Sequence, residues 1–188
     1  MADLTTQEVS SEGIRQGTLP NREIELLVAA VRKGEPWREA LARLELPELS
    51  KKRQWFTDLR KAEFYKGLPT SERRRALDVG AGSGVISAGL ATGFDRVTAL
   101  EMDPVWCEFM SLRLAQDQVR NVEVIQKGAL PLPFGDREFD LIVVNGVLEW
   151  LPESEPRGTP RDVQVGFLSD VRAKLRPGGA LGDRKSVV

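Results

Sequence analysis

The sequence predicts a doubly wound α/β domain, a parallel sheet with helices on both faces, preceded by a helical extension. Three observations carry that expectation. From Arg75 onward, short apolar runs of strand type alternate with segments of helical periodicity. A glycine-rich turn, Gly80-Ala81-Gly82-Ser83-Gly84, joins the first of these runs to the first helical segment. The run Leu141 to Val144 is apolar without alternation, as a strand buried on both faces requires.

Residues 1–20 are rich in Ser, Thr, Glu and Gly with little periodicity and read as a frayed tail. From Asn21, apolar residues recur as Ile24, Leu27, Val28 and Val31, one helical face, with Asn21 as cap and Gly34 beyond the end. A second helix begins at Pro36, presents Trp37, Ala40, Leu41 and Leu44, and stops at Pro47. A third is expected over 50–66, burying Trp55, Leu59, Ala62 and Phe64. Residues 21–69 are thus a helical extension and 70–182 a separate core.

Within the core, Ala76 to Val79 is a short strand, and the glycine turn leads into a helix ending near Leu90. Arg96 to Leu100 is a second strand, followed by a helix opened by Asp103-Pro104 that runs to Gln116. Val122 to Gln126 and Phe139 to Val144 supply two more strands. A helix over 163–175 is stopped by Arg176-Pro177-Gly178-Gly179.

Composition removes several function classes. The 27 basic and 28 acidic residues leave a net charge of −1, so nucleic acid is not gripped by an overall basic field. One cysteine, Cys107, excludes an intrachain disulfide and a cysteine-rich zinc site. With no histidine, the chain has no imidazole base, His-based triad or His metal site. No signal-peptide pattern opens the sequence and no run approaches the ~18 apolar residues of a membrane span, so a cytoplasmic setting is expected.

Chemistry concentrates at the glycine turn. Its glycines let the backbone turn sharply and approach a ligand without a Cβ in the way. Glu101 ends the second strand 17 residues after Gly84, where a carboxylate can accept from both hydroxyls of a ribose. A dinucleotide fingerprint wants G-x-G-x-x-G or A, whereas here the pattern is G-x-G-x-G followed by Val85. Asp78, two residues before Gly80, would repel a pyrophosphate and welcome an ammonium. S-adenosylmethionine carries such an ammonium, with a ribose and an adenine.

Four blocks, LDVGAGSG at 77–84, VTALEMDP at 97–104, LPFGDREFDLIVVNGVLEWL at 132–151 and LRPGG at 175–179, resemble the class I S-adenosylmethionine-dependent methyltransferases of the broad small-molecule type. The resemblance covers about 75–179 and implies a Rossmann-like sheet with S-adenosyl-L-methionine as cofactor. It implies that Asp78 and the backbone of Gly80, Ala81, Gly82 and Gly84 bind the methionine end. Glu101 would hold the ribose and Met102 would pack on adenine. Many relatives carry Asp where Gly128 stands, so backbone at Ala129 and Leu130 is left to meet the adenine amino group. Many also carry His where Trp150 stands, so Glu149 is the available proton acceptor, or else a carboxylate favoured at a helix start. Asn145 falls where the family brings cofactor and acceptor together.

Methyl transfer from a sulfonium is an in-line displacement, for which the protein mainly aligns the partners, adding a base only where the acceptor must lose a proton. The expected acceptor is a small molecule, with nucleic acid disfavoured and no metal. The loop 152–162, with Arg157 and Arg161, reads either as a solvated connection or as a place for an anionic acceptor. Two alternatives stand beside the enzyme reading. One is a protein that binds S-adenosylmethionine without turnover. The other is a helix-turn-helix over 34–60, whose last helix opens with Lys51, Lys52 and Arg53 and enters a DNA groove. Family members continue after LRPGG with a fifth buried strand and more. Here the charges at 183–185 are expected to stop that strand at Gly182 and leave the fourth strand with an unpaired edge. Asp183 to Val188 also matches the translation of a common sequencing adapter, so residues 183–188 are expected to be a non-native tail on a truncated core.

Overall fold

A computed structural model describes residues 21–48, 53–151 and 159–184. Five strands form one wholly parallel sheet in the order β3-β2-β1-β4-β5. They are β1 (Arg75–Val79), β2 (Arg96–Glu101), β3 (Val122–Gln126), β4 (Phe139–Asn145) and β5 (Leu175–Arg184). The connecting helices are α5 (Val85–Leu90), α6 (Pro104–Gln116) and α7 (Pro160–Lys174). Leu77, Val79, Ile142 and Val144 face α7, packing on Val163, Phe167 and Val171. Ala76, Leu141 and Val143 face the other way, onto Val85, Ile86 and Leu90 of α5. The sheet is therefore covered on both faces, as the apolar run of β4 requires. Chain order reverses between β1 and β4, the switch point at which an open α/β sheet leaves a crevice beyond its strand ends.

The local reasons for these elements are visible. Asp103 caps α6 by accepting from the amides of Val105 and Trp106, with Pro104 in the first turn. Thr159 and Asp162 form a reciprocal capping box that starts α7 at Pro160, three residues earlier than the apolar pattern alone suggests.

The extension includes α1 (Asn21–Arg32), α2 (Trp37–Arg43), α3 (Gln54–Thr57) and α4 (Lys61–Lys66). Ile24, Leu27, Val28 and Val31 are buried as expected, against Trp37, Ala40, Leu41, Phe56 and Phe109 of α6. The third helix is not continuous. Asp58 leaves helical geometry at ψ 85°, and its carboxylate accepts from the Arg60 amide at 3.2 Å and the Arg60 guanidinium at 2.8 Å. This local turn competes with the helix and resets its phase. Phe56, Ala62 and Tyr65 are buried in consequence, while Leu59 and Phe64 are exposed and Trp55 is only half-buried. Of the segment the helix-turn-helix reading assigns to its last helix, the described residues show α3, a single turn, and Lys51 and Lys52 lie outside them.

The end of the sheet also departs from expectation. β5 does not stop at Gly182. Asp183 pairs with Val144 and Arg184 with Asn145, so β4 has a partner on both sides. Asp183 meets no burial cost, because its side chain is exposed and β5 is an edge strand among the described residues. Arg176-Pro177-Gly178-Gly179 ends α7 and is accommodated by a register shift, after which Ala180 pairs with Leu141.

Candidate functional site

The glycine turn is built for close approach. Gly80, Gly82 and Gly84 all have positive φ, at 66°, 50° and 73°, a region that residues with a Cβ rarely occupy. A Cβ at Gly80 would lie 2.5 Å from Cγ2 of Val147, and one at Gly84 would lie 2.7 Å from Cγ of Met110. At Gly82 nothing stands closer than 4.0 Å, so the turn opens there onto free space. Most of its amides are already engaged. Those of Gly80 and Ala81 donate to the Leu100 carbonyl at 2.8 and 3.1 Å, and that of Gly84 to Ala81 at 2.9 Å.

Glu101 ties the turn to the end of β2. One carboxylate oxygen accepts from Gly82 at 2.9 Å, the other from Met102 at 2.8 Å and Asp103 at 3.0 Å. Oε2 retains acceptor capacity, whereas Oε1 is filled by its two amides, and the side chain is only 9% exposed. Met102 stands beside it with 64% of its surface open, a large apolar platform next to a held carboxylate. Ala129 and Leu130 lie half-buried in the turn that follows β3. Thus Gly82, Glu101 and Met102 meet at the end of β2, and Ala129 and Leu130 follow the neighbouring strand β3. Cys107 is buried, and that burial pushes its thiol up to about 11, so it offers no thiolate.

Asp78 differs from the simple expectation of an open carboxylate. It is 1% exposed and accepts from the Ser87 hydroxyl at 2.6 Å. Burial raises it to about 7, the hydrogen bond from Ser87 works against that, and the charge of Glu101 adds to it. Such a group gains its charge readily when a cation arrives.

Across the crevice, Asn145 ends β4. Its Oδ1 accepts from the hydroxyl of Tyr65 at 2.7 Å. Tyr65, the only tyrosine of the sequence, is itself 1% exposed. α4 brings it there because Ala62 packs where Gly89 of α5 has no side chain, with just 2.4 Å between Ala62 Cβ and an ideal Cβ at 89. Glu149 is exposed in the half-buried turn after β4, and Trp150 is half-buried beside it. Glu149 therefore does not join Asn145 in a buried pair. Arg161 is exposed, and Arg157 lies outside the described residues.

Sequence reasoning passes over Tyr65, Ser87 and Arg113. The one signal for Tyr65 is its place three residues after Ala62, on the face already expected to be buried.

A methyltransferase-domain family matches residues 77–182, more than half of the chain. The chain belongs to the class I S-adenosylmethionine-dependent methyltransferases. S-adenosylmethionine is the cofactor of this family, and the open space above Gly82 beside Glu101 and Met102 suits it. Over 87 residues the chain is 33% identical to a protein-L-isoaspartate O-methyltransferase of Bradyrhizobium sp. (strain ORS 278), covering 46% of this chain and 40% of that one. It spans less than half the length of the curated relatives it matches. Among solved structures, phosphoethanolamine N-methyltransferase 1 of Haemonchus contortus, in complex with phosphoethanolamine and S-adenosylhomocysteine, superposes with a TM-score of 0.60. That match has 19% identity and covers 87% of this chain and 33% of that one. An rRNA methylase of Streptococcus thermophilus gives a TM-score of 0.51 at 19% identity, over 66% of this chain and 68% of its own. These two likenesses establish the fold. No helix among the described residues is long and apolar enough to cross a membrane.

Proposed function

We propose that the protein moves the methyl group of S-adenosylmethionine to a small-molecule acceptor held between the end of β4 and the helical extension. The observation that carries this reading is the hydrogen bond from Tyr65 to Asn145. It brings the extension down onto the strand end where the acceptor must dock, which favours a compact partner over a protein or RNA surface.

In this reading Glu101 accepts from the ribose, Met102 packs on adenine, and backbone at Ala129 and Leu130 meets the adenine edge. Gly80, Ala81, Gly82 and Gly84 bring the backbone close to the methionine end, and the buried Asp78 answers its ammonium. The bound cofactor supplies an already activated methyl group. The protein's task is then alignment and exclusion of water. Asn145 orients the acceptor, with its Oδ1 held by Tyr65 and its amide group free to donate. Glu149, exposed on the following turn, takes a proton only from acceptors that must lose one.

The test is to incubate the full chain with donor labelled in its methyl group, separately with the small-molecule filtrate and with the macromolecular fraction of one cell extract. Label is expected in the filtrate, and Asn145→Ala should abolish most of it. Label confined to protein or RNA would replace the small-molecule reading. Label in neither fraction would favour a protein that binds the cofactor without turnover.

A further inference from the structure

Arg113 is a charged side chain with no part in the reading above, yet it is fully buried. It sits on α6, behind the glycine turn. Its Nη1 donates to the carbonyl of Ser83 at 2.9 Å. Its guanidinium carbon lies 4.6 Å from the centre of the Trp37 ring, and Nε lies 3.7 Å from the Asp117 carboxylate without forming a hydrogen bond. Asp117 is in turn held from the extension, by the Trp37 indole at 3.0 Å and Arg38 at 2.6 Å. Ser83 is gripped from a second side as well, because its hydroxyl donates to the Trp55 carbonyl of α3 at 2.6 Å. One turn before Arg113, Met110 fills the space that a side chain at Gly84 would need.

Burying a guanidinium costs several kcal/mol, and an apolar residue of similar volume would commonly serve packing as well or better. Burial here lowers its pKa to about 10, with the Asp117 charge opposing. What an apolar residue could not supply is the donor aimed at the turn between Gly82 and Gly84. We infer that Arg113 is a positioning residue for the cofactor: it fixes the Ser83 carbonyl, holds the left-handed glycines in register, and joins that geometry to the docked extension through Trp37 and Asp117. Neither Arg113 nor the Trp37 ring touches the crevice, and both nonetheless set the affinity for the cofactor.

Three variants of the full chain test this, with S-adenosylhomocysteine as the probe in calorimetric titration and amide hydrogen exchange read at Gly82 and Gly84 without ligand. Arg113→Met is expected to bind the probe about tenfold or more weakly, with exchange at both glycines about tenfold faster and a melting temperature close to the parent's. Arg113→Lys, which keeps a donor, should recover most of both losses. Ser83→Ala, which removes only the tie to Trp55, should weaken binding about threefold and speed exchange. Unchanged affinity and exchange in Arg113→Met would overturn the inference. So would a lysine variant as impaired as the methionine one, since that pattern belongs to packing alone. If Arg113→Met does not fold, Arg113→Lys decides: affinity and exchange close to the parent's support the donor role, and values impaired about tenfold refute it. The exchange measurement needs neither acceptor nor turnover, so it stands apart from the labelled-methyl experiment.

Discussion

The two sides of the crevice are made differently. On the β1–β2 side almost every polar group is spoken for before a ligand arrives. Glu101 accepts three backbone amides, Asp78 is buried with Ser87, and the glycine turn is bonded to Leu100 and braced by Arg113. On the β4 side the Tyr65 hydroxyl reaches Asn145 across the gap, and among the described residues the next ones run into a mostly half-buried turn. A preorganised half suits a ligand shared by a whole family, because little ordering cost remains when it binds. A lightly tied half suits the partner that changes from one member to the next.

This contrast can be broken from its rigid side first. Gly80→Val should have the largest effect. It forces a β-branched residue into positive φ at a cost of about 1–3 kcal/mol, and pushes the side chain into Val147. Probe binding should vanish in titration, with a lower melting temperature. Glu101→Ala should come next, with affinity for S-adenosylhomocysteine falling about thirtyfold or more as ribose and turn lose one acceptor together. Parental affinity in that variant would show that the two functions of Glu101 are separable.

The smallest effect sharpens the comparison by pH. Asp78 titrates near 7 in the fold against an ordinary 3.8, so between those values the folded protein holds a proton that the unfolded chain has lost. Its stabilising contribution is full below the lower value and is lost as pH rises through the upper one. Asp78→Asn should therefore melt at a temperature closer to the parent's at about pH 5 and relatively higher at about pH 8. A gap that does not change with pH would remove the buried carboxylate from the argument.

Much of the rigid half is legible in the sequence, for a physical reason. β1 to β4 and their turns are fixed by short-range signals: apolar runs, glycines at positive φ, and an Asp-Pro helix start. The loose half depends on a contact 80 residues apart, Tyr65 with Asn145, which no local pattern announces. It was further hidden by the turn at Asp58. Reading one helix over 50–66 puts Leu59 and Phe64 inside, whereas the reset phase buries Phe56 and Tyr65. β5 illustrates a third case. Its charged end looks incompatible with a central strand, and only the strand order shows that Asp183 stands at the edge of the sheet among the described residues.

Gly182 turns this arrangement into a lever. The Tyr65 ring lies against it so closely that a Cβ at 182 would fall 2.5 Å from Cδ1 and 3.0 Å from Cε1. The same ring carries, at its far end, the hydroxyl now resting on Asn145. A single added carbon at position 182 would thus press on the ring that holds Asn145, and Gly182→Ala is expected to disturb the Tyr65–Asn145 bond while leaving the glycine turn untouched.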